Sequence, residues 1–446
     1  MRILRLAPLF LCASIAAFSQ QPVIPGTAAG RTLQAWLNAW NSGDRAKITD
    51  YVKTLDPAQN VDEVVRSRDR VGALRLLSIE SSAPLQIHFR VQESNSGATV
   101  IGDLLVKNGN PPTVIFLGLS TLPPGATPVN VVLDAALRTR VMDGIKADLT
   151  KDYVFPALAA RMNEALDAHE RAGDYNSITD GYVFAQRLTE DLRAVSHDKH
   201  LHVHFVPFTQ PSAREATPQD ETRRQQAFLK MNCQFDKVEV LPGNIGYVKF
   251  DGFADPAICG ATVTAAMSFV AHTDALIFDL RDNKGGYPGM VSLIASYLFD
   301  QPTHLNDLYN RPKDFTTQYW TLPWVPGTRM PVQPVFVLTS HRTISGAEEF
   351  TYDLKTQKRA TIVGETTAGG AHIVQDHPLP GHFVVGVPFG TAINPITKTG
   401  WEGTGVTPDV SVPASDALAT AEKLALANLQ AKRNAEPAAT PAKPKP

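Results

Sequence analysis

Short apolar runs alternate with helical segments from residue 243 onward, and this alternation restricts the fold more than any other feature of the chain. Strands are predicted at 244–250, 275–280, 335–339 and 360–363. Helices are predicted between them, at 257–271, 287–299 and 346–356. Buried strands that are joined by helices form a mostly parallel sheet with helices packed on its faces. The sequence therefore predicts an α/β core over residues 241–433.

The rest of the chain divides into smaller parts, because 446 residues are enough for two or three domains. Residues 20–122 predict a small α+β domain, whose first helix resembles the start of nuclear-transport-factor-like cone domains. A Pro-Pro-Gly sequence at 123–125 marks its end, and residues 129–205 predict a helical subdomain. The Ala/Pro/Lys-rich residues 434–446 predict a disordered tail.

The first 19 residues have the features of a signal peptide. Arg2 and Arg5 precede an apolar stretch that is too short to span a bilayer, and small residues follow it. The sequence therefore predicts an exported protein, periplasmic or extracellular, without a lipid anchor. In an oxidising compartment Cys233 and Cys259 either form a disulfide or stay two separate buried thiols, and their spacing does not decide between these alternatives.

The charge balance limits the classes of partner. The chain has 42 Lys and Arg against 44 Asp and Glu, a formal net charge of −2. A protein that binds nucleic acid or an anionic membrane normally has a basic excess, so neither partner is expected. No stretch after the predicted signal peptide is long and apolar enough to insert into a membrane. The sequence does not indicate an oligomeric state.

Ser345 occupies the turn between the predicted strand 335–339 and the predicted helix 346–356. Unpaired backbone N–H groups and the positive end of the helix dipole lie at such a helix start. A serine that attacks a carbonyl group needs this arrangement, because the N–H groups stabilise the oxyanion that forms. The alternative is an ordinary N-cap, for which serine is among the preferred residues.

A second strand-to-helix turn carries the adjacent glycines Gly285 and Gly286. Glycines let the backbone approach a ligand closely and present N–H groups to an anion. The loop has neither of the common phosphate-binding glycine patterns, so oxyanion binding is favoured, with a plain tight turn as the alternative. Both turns should lie at the end of the sheet where α/β proteins place their ligands.

Seven segments occur in the order found in one peptidase family. They are DYVFP (152–156), DKHL (198–201), LPGNIGY (241–247), DLRDNKGG (279–286), TISGAEEF (343–350), VGETTAGGAH (363–372) and WEGTGVTPD (401–409). On these motifs, residues 130–430 resemble the tail-specific (C-terminal processing) serine proteases. The resemblance is to the branch that contains the tricorn protease core and the interphotoreceptor retinoid-binding protein repeats. It implies a crotonase-like (ClpP/crotonase) α/β core with helices packed before it.

The resemblance also implies catalytic roles for three residues. Ser345 matches the nucleophile, and His200 matches the general base of the tricorn branch, which takes the serine proton and passes it to the leaving amine. Glu402 matches the acid that orients the base, with a solvated turn residue as the alternative. Tricorn has a participating polar residue just before its histidine, where this chain has Lys199. This difference leaves the link between His200 and Glu402 undecided.

The family pattern further implies the groups around the nucleophile. The oxyanion donors are expected to be the N–H of Gly346 and the N–H of Gly285 or Gly286. Another branch of the family uses a lysine as base, and Gly370 stands at that position, which excludes a Ser-Lys dyad. His372 is expected to be structural, or at most to face the substrate.

Four histidines lie within eight positions, and a metal site is the alternative explanation for them. They are His197, His200, His202 and His204. A zinc site would need a carboxylate or thiolate to complete the set, and no His-Glu-x-x-His pattern is present. The sequence therefore predicts neither a metal nor a cofactor.

Together these observations predict an exported serine peptidase that acts on peptides or proteins. Many relatives insert a PDZ domain of about 80–100 residues before the core, but residues 206–240 are too few for one and predict a linker or hairpin. The alternative is a non-catalytic binding protein for an apolar ligand, because one fold supports both functions. An esterase that uses the same acyl chemistry is a third reading.

Overall fold

The computed structural model describes residues 22–57, 59–123, 126–127, 129, 131–206, 208–209 and 217–435. The chain splits into two compact units. One contains the residues up to 129 together with 207–212, and the other contains 130–206 and the residues from 213 onward. The predicted signal peptide and residues 436–446 of the predicted tail lie outside the described residues.

The N-terminal unit consists of helices followed by an antiparallel sheet. Its elements are α1 (Ala28–Ser42), α2 (Arg45–Leu55), α3 (Val61–Val71), β1 (Leu74–Ser82), β2 (Gln86–Glu93), β3 (Thr99–Lys107) and β4 (Thr113–Thr121). The strands are adjacent in chain order. Trp36 and Trp40 recur at helical spacing on α1, and Trp36 packs against the ring of Phe89 in β2. Gly43 ends α1 in a left-handed conformation.

The second unit contains the remaining helices and strands. The helices are α4 (Ala135–Asp152), α5 (Pro156–Ala172), α6 (Gly181–Ser196), α7 (Pro218–Lys230), α8 (Pro256–Phe269), α9 (Pro288–Ser296), α10 (Gly346–Thr356) and α11 (Ala417–Ala435). The strands are β5 (His202–Phe205), β6 (Phe235–Leu241), β7 (Ile245–Phe250), β8 (Ala275–Asp279), β9 (His304–Asn310), β10 (Phe315–Trp320), β11 (Val335–Thr339), β12 (Thr361–Gly364), β13 (His372–Leu379), β14 (Phe383–Ile393) and β15 (Val410–Ser411). Within the described residues, no helix has both the length and the apolar character needed to cross a bilayer.

The central sheet has the strand order β15-β12-β11-β8-β7-β6. All of its pairings are parallel except that of β6 with β7. Every residue of β8 and β11 is buried, because helices such as α8 and α11 cover the two faces. The chain is therefore an α/β protein, as the alternation of strands and helices predicted.

Helices α4, α5 and α6 begin at residues that either accept hydrogen bonds from the first backbone N–H groups of the helix or have no N–H group themselves. Asp134 accepts a hydrogen bond from Leu137 at the start of α4, and Asp180 caps α6. Pro156 stands at the first position of α5, where a backbone N–H has no partner within the helix. The apolar faces of α4, α5 and α6 form their own core with residues of β5 and β14.

A second, antiparallel sheet in this unit was not predicted. It has the order β10-β9-β14-β13, and β5 also pairs with β14. Two of its strands lack the continuous apolar runs of the central sheet, since β10 is largely exposed and only the two end residues of β13 are buried. His372 begins β13 of this sheet, and His200 lies two residues before the start of β5.

Residues 206–240 differ from the predicted linker or hairpin. They contain α7, and the strand β6 that forms an edge of the central sheet. Helix α7 has no buried residue, so it lacks the apolar stripe by which a helix is recognised in sequence. Cys233 and Cys259 form a disulfide, which ties the start of β6 to α8 and decides between the two alternatives for these cysteines. At the other end of the unit, α11 extends to Ala435, two residues into the predicted tail.

Candidate active site

Ser345 lies in a strained turn between β11 and α10. Its φ of 59° and ψ of −125° are unusual for a residue with a side chain, and such strain is typical of functional positions. The turn follows the carboxyl end of β11, which pairs in parallel with β8. The glycine turn after β8 therefore ends at the same edge of the sheet, and Ser345 stands beside it.

The glycine turn packs directly against the turn of Ser345. A Cβ atom built on Gly285 would lie 2.7 Å from Ser345 Cβ, so only glycine fits there. A Cβ atom built on Gly346 would lie 3.0 Å from the backbone nitrogen of Gly286. The Gly285 N–H already donates to Asn283 Oδ1 at 2.8 Å. The expected oxyanion donors therefore narrow to the N–H groups of Gly346 and Gly286.

Glu348, which the sequence analysis did not single out, holds the turn of Ser345 to the loop after β12. Its carboxylate accepts hydrogen bonds from the N–H groups of Ser345, Gly369 and Gly370 at 2.9, 2.6 and 2.8 Å and from the Thr367 hydroxyl at 2.5 Å. Burial raises the pKa of Glu348 although these bonds oppose the shift. The spacing Ser-x-x-Glu at a helix start is the sequence signal that could have identified this residue.

His200 lies between α6 and β5, and its side chain is 18% exposed. Its Nδ1 is buried and has no hydrogen-bond partner among the described residues. Nδ1 is 3.8 Å from Glu402 Oε2 and 3.9 Å from Asp198 Oδ1, whereas the His200 N–H donates to Asp198 Oδ1 at 2.9 Å. Burial lowers the pKa of His200. The ring is therefore neutral at neutral pH, the form in which it can accept a proton.

Gly370 provides the space that the His200 ring fills. A Cβ atom built on Gly370 would lie 2.6 Å from His200 Cε1 and 3.1 Å from Ile344 Cγ1. Any side chain at position 370 would consequently displace the imidazole. The lysine that another branch of the family carries at this position and a histidine at 200 exclude each other in this geometry.

Glu402 lies between the two histidines of the site. Its Oε2 accepts a hydrogen bond from the Ala371 N–H and is 3.6 Å from His372 Nδ1, while its Oε1 is buried without a partner among the described residues. Burial raises the pKa of Glu402, and the nearby His372 offsets part of this shift. The carboxylate is therefore within reach of His200 but not hydrogen-bonded to it.

Asp198 and His372 form a buried pair behind these groups. His372 Nδ1 lies 2.6 Å from Asp198 Oδ2, which also accepts a hydrogen bond of 3.1 Å from the Tyr153 hydroxyl. Burial opposes the ionisation of Asp198, but the hydrogen bonds from His372 and from the His200 N–H outweigh it and lower its pKa. His372 is buried, as expected of a structural residue, and it also lines the cleft that contains Ser345.

Among the described residues, one set of side chains could hold a metal ion, and it differs from the histidine cluster that the sequence suggested. Ligand atoms of Asp198, His372 and Glu402 lie within 4.8 Å of one another. The shortest distance in this set, 2.6 Å between His372 Nδ1 and Asp198 Oδ2, is a hydrogen bond. His197 is exposed, and His202 and His204 lie on β5 with their rings 4.3 Å apart.

These residues surround a cleft of about 460 Å³. Ser345, Gly346, Gly286, His200 and Gly370 line it at the catalytic end, together with His372. Leu308, Tyr319, Ala392 and Trp401 form its walls, and Glu349 of α10 reaches into it. The structure thus brings a strained serine, a neutral imidazole and two candidate oxyanion donors to one cavity, an arrangement suited to acyl transfer.

Comparison with known proteins gives two family matches and several similar structures. Residues 244–412 match the model of peptidase family S41, and residues 133–242 match the N-terminal domain of that peptidase in eukaryotic IRBP. A proposed peptidase from Parabacteroides merdae is 19% identical over 65% of this chain and 96% of its own, with a TM-score of 0.48. The photosystem II D1 C-terminal processing protease is 14% identical over 62% and 93%, with a TM-score of 0.41. Tricorn protease is 13% identical over 83% and 43%, with a TM-score of 0.43.

Proposed function

This chain belongs to peptidase family S41 through its segments 133–242 and 244–412 and is a serine-type peptidase, and on this premise we propose that it cleaves peptide bonds through an acyl-enzyme on Ser345. The observation that carries the proposal is the strained Ser345, which shares one cleft with a buried imidazole whose Nδ1 has no partner among the described residues. A strained turn exposes the hydroxyl, and a neutral imidazole can take its proton.

In the proposed first step, Ser345 Oγ attacks the carbonyl carbon of the substrate while His200 accepts the hydroxyl proton. The carbonyl oxygen becomes an oxyanion, which the N–H groups of Gly346 and Gly286 stabilise. The C–N bond then breaks, and His200 returns the proton to the leaving amine. Water attacks the acyl-enzyme with His200 again as base, which releases the acid product and restores Ser345.

Glu402 is proposed to orient and stabilise the imidazolium form of His200. Its Oε2 is 3.8 Å from Nδ1 in the free chain, longer than a hydrogen bond. The positive charge that His200 gains during the reaction attracts the carboxylate, and catalytic hydrogen bonds often tighten only in the substrate complex. Asp198 supports the same ring from its backbone side, since it accepts the His200 N–H.

We further propose that the mature chain is exported and that its core is of the crotonase type. The Cys233–Cys259 disulfide supports export, because structural disulfides persist in oxidising compartments. The parallel order of β12, β11, β8 and β7, with catalytic turns at one edge, supports the core assignment. Cell fractionation with N-terminal sequencing of the mature chain tests the export and the cleavage near residue 19.

A fluorophosphonate probe tests the nucleophile. We expect the wild-type chain to gain one covalent adduct in intact-mass measurement and the Ser345→Ala variant to gain none, with equal thermal unfolding of the two chains. A peptide library then identifies the cleaved bond. If both chains carry the adduct equally, Ser345 is not the nucleophile, and if the wild-type chain neither reacts nor cleaves peptides, a ligand-binding role is the better explanation.

A further inference from the structure

Glu349 is a buried acid in the cleft that the proposed mechanism does not use. It follows Ser345 by four residues, in the first turn of α10, and both residues line the cleft. The residue is only 4% exposed, and its Oε1 has no hydrogen-bond partner among the described residues. Nothing in the acyl-transfer steps requires a carboxylate at this position.

The surroundings of Glu349 add negative charge and polar atoms but no cation. Asp353, one turn further along α10, is fully buried, and its Oδ2 also lacks a partner. Asn306 on β9 faces Glu349 closely enough to lower its pKa, but neither of its amide atoms forms a hydrogen bond of good geometry with the described residues. Within the described residues, no Lys, Arg or His forms an ion pair with either acid. Burying such groups without a counter-charge is costly unless a ligand supplies it.

The walls of the cleft fit the rest of such a ligand. Leu308, Tyr319, Ala392 and Trp401 line the space around Glu349. Lysine and arginine carry apolar stems that pack on this type of surface, and their charged ends interact favourably with aromatic faces. A carboxylate at the end of an apolar passage is a matching site for a basic side chain.

The position of Glu349 along α10 also fits the binding of a basic side chain. Glu349 lies three residues after Gly346, the first residue of α10, which corresponds to a rise of about 4.5 Å. The acid therefore lies about one helical turn from the residue that follows the serine. The stem of a lysine or arginine spans a gap of this order. The side chain nearest the attacked carbonyl belongs to the residue that supplies the acyl group, so it is this side chain that would enter the cleft.

We propose that Glu349 forms the floor of a specificity pocket that selects peptides with lysine or arginine on the acyl side of the cleaved bond. This inference rests on the proposed function of Ser345. Burial raises the pKa of Glu349 to about 7, with the Asn306 amide offsetting part of the shift, and a bound cation would favour the charged form. Burial and the negative charge of Glu349 raise the pKa of Asp353, which does not line the cleft.

The test compares peptide amides that differ only in a lysine or its uncharged analogue norleucine at that position. We expect the wild-type chain to cleave the lysine peptide at least about tenfold faster in kcat/KM, and Glu349→Gln to reduce this ratio to about one. The matched control is Asp353→Asn, which removes a buried acid of the same cluster that does not line the cleft and should keep the lysine preference. Equal cleavage of both peptides by the wild type, or an unchanged ratio in Glu349→Gln, overturns the proposal.

A binding measurement separates this inference from the proposed function. Benzamidine, a small aromatic cation, should bind the Ser345→Ala variant in calorimetry and should not bind the Ser345→Ala/Glu349→Gln double variant. If no peptide is cleaved but benzamidine binds in this Glu349-dependent way, the acidic pocket stands and the peptidase mechanism fails. If peptides are cleaved without a lysine preference and benzamidine does not bind, the mechanism stands and the acidic pocket fails.

Discussion

The two sides of α10 contain adjacent buried glutamates in opposite environments. On the side of the 367–370 loop, Glu348 accepts four hydrogen bonds that hold the backbone around Ser345. On the side of the cleft, Glu349 and Asp353 each have a carboxylate oxygen without a partner among the described residues. The same residue type, one position apart, thus accepts four hydrogen bonds in one region and has an unpaired carboxylate oxygen in the other.

This difference separates structural groups from groups that await a ligand. A buried carboxylate with several hydrogen bonds stabilises the loops that donate them, whereas one without partners costs stability and is retained where it meets something that the free chain lacks. His200 Nδ1 and Glu402 Oε1 are unpaired as well, and both belong to residues at the cleft end where Ser345 lies. Unpaired atoms thus occur on the proposed base, on the acid proposed to orient it and on Glu349, which lines the cleft.

Glu348→Ala should produce the largest effect and tests the paired side. The substitution leaves three backbone N–H groups and the Thr367 hydroxyl without their acceptor, and we expect a loss of about 4 kcal/mol in the free energy of unfolding. Urea denaturation measures it, with Glu164→Ala on the exposed face of α5 as the control. A change below about 1 kcal/mol would mean that Glu348 does not hold the loops, and the contrast with Glu349 would fail.

Gly370→Ala should give the next largest effect, on activity rather than stability. The added methyl group would lie 2.6 Å from His200 Cε1 and would push the imidazole away from its position. Displacing a catalytic group by about 1 Å can cost a hundredfold in rate, and we expect about that loss in kcat/KM. The control Gly260→Ala adds a methyl group that meets nothing closer than 3.8 Å. If Gly370→Ala keeps full activity, His200 in its present position is not the general base.

Four strands of the central sheet, β7, β8, β11 and β12, were predictable because they are mostly apolar and buried. The edge strands β6 and β15 were not predicted, and β6 is partly exposed. The predicted helix 346–356 and strand 335–339 match α10 and β11 in both bounds. The second sheet was not predictable in the same way, since β10 is mostly exposed and β5 pairs with β14, which lies far away in sequence. Helix α7 was missed because none of its residues is buried.

The motifs of the candidate site could be recognised from the sequence, but the state of its carboxylates could not. Ser345, His200 and Glu402 belong to segments with a recognisable order. In the structure Ser345 and His200 line one cleft, and Glu402 Oε2 lies 3.8 Å from His200 Nδ1. Glutamate and aspartate are normally exposed, so nothing in the sequence indicates that Glu349 and Asp353 are buried. The pairing of Asp198 with His372 joins two distant segments and depends on the second sheet.

Glu349→Gln should have a smaller effect on stability, of the opposite sign to that of Glu348→Ala. The folded pKa of about 7 lies above the usual value of 4.5, so the folded chain binds the proton more tightly than the unfolded chain. The wild type should therefore lose stability as the pH rises from about 4.5 to 7, and glutamine should remove this loss. Asp353, Asn306 and Tyr319 face the same group: the Asn306 amide lowers the pKa of Glu349, whereas the charge of Glu349 raises the pKa values of Asp353 and Tyr319.

Urea denaturation at pH 5 and pH 8 measures this difference. We expect Glu349→Gln to be more stable than the wild type by on the order of 2 kcal/mol at pH 8 and by little at pH 5, with Glu164→Gln as an exposed control. A variant that is less stable than the wild type at pH 8 would mean that Glu349 has a partner in the folded chain. The contrast between the two sides of α10 would then not hold.

The smallest expected effect concerns the pH at which activity begins. Burial lowers the pKa of His200, and the negative charge of Asp198 opposes that shift, so the acid limb of kcat/KM should lie below pH 6.5. Asp198→Asn removes the charge and should move the limb to still lower pH by less than one unit, because the loss of a nearby anion disfavours the imidazolium. A pH–rate profile of both chains measures the displacement. If the acid limb moves to higher pH in Asp198→Asn, the group that titrates there is not a histidine next to Asp198. The general base would then be a different residue of the cleft.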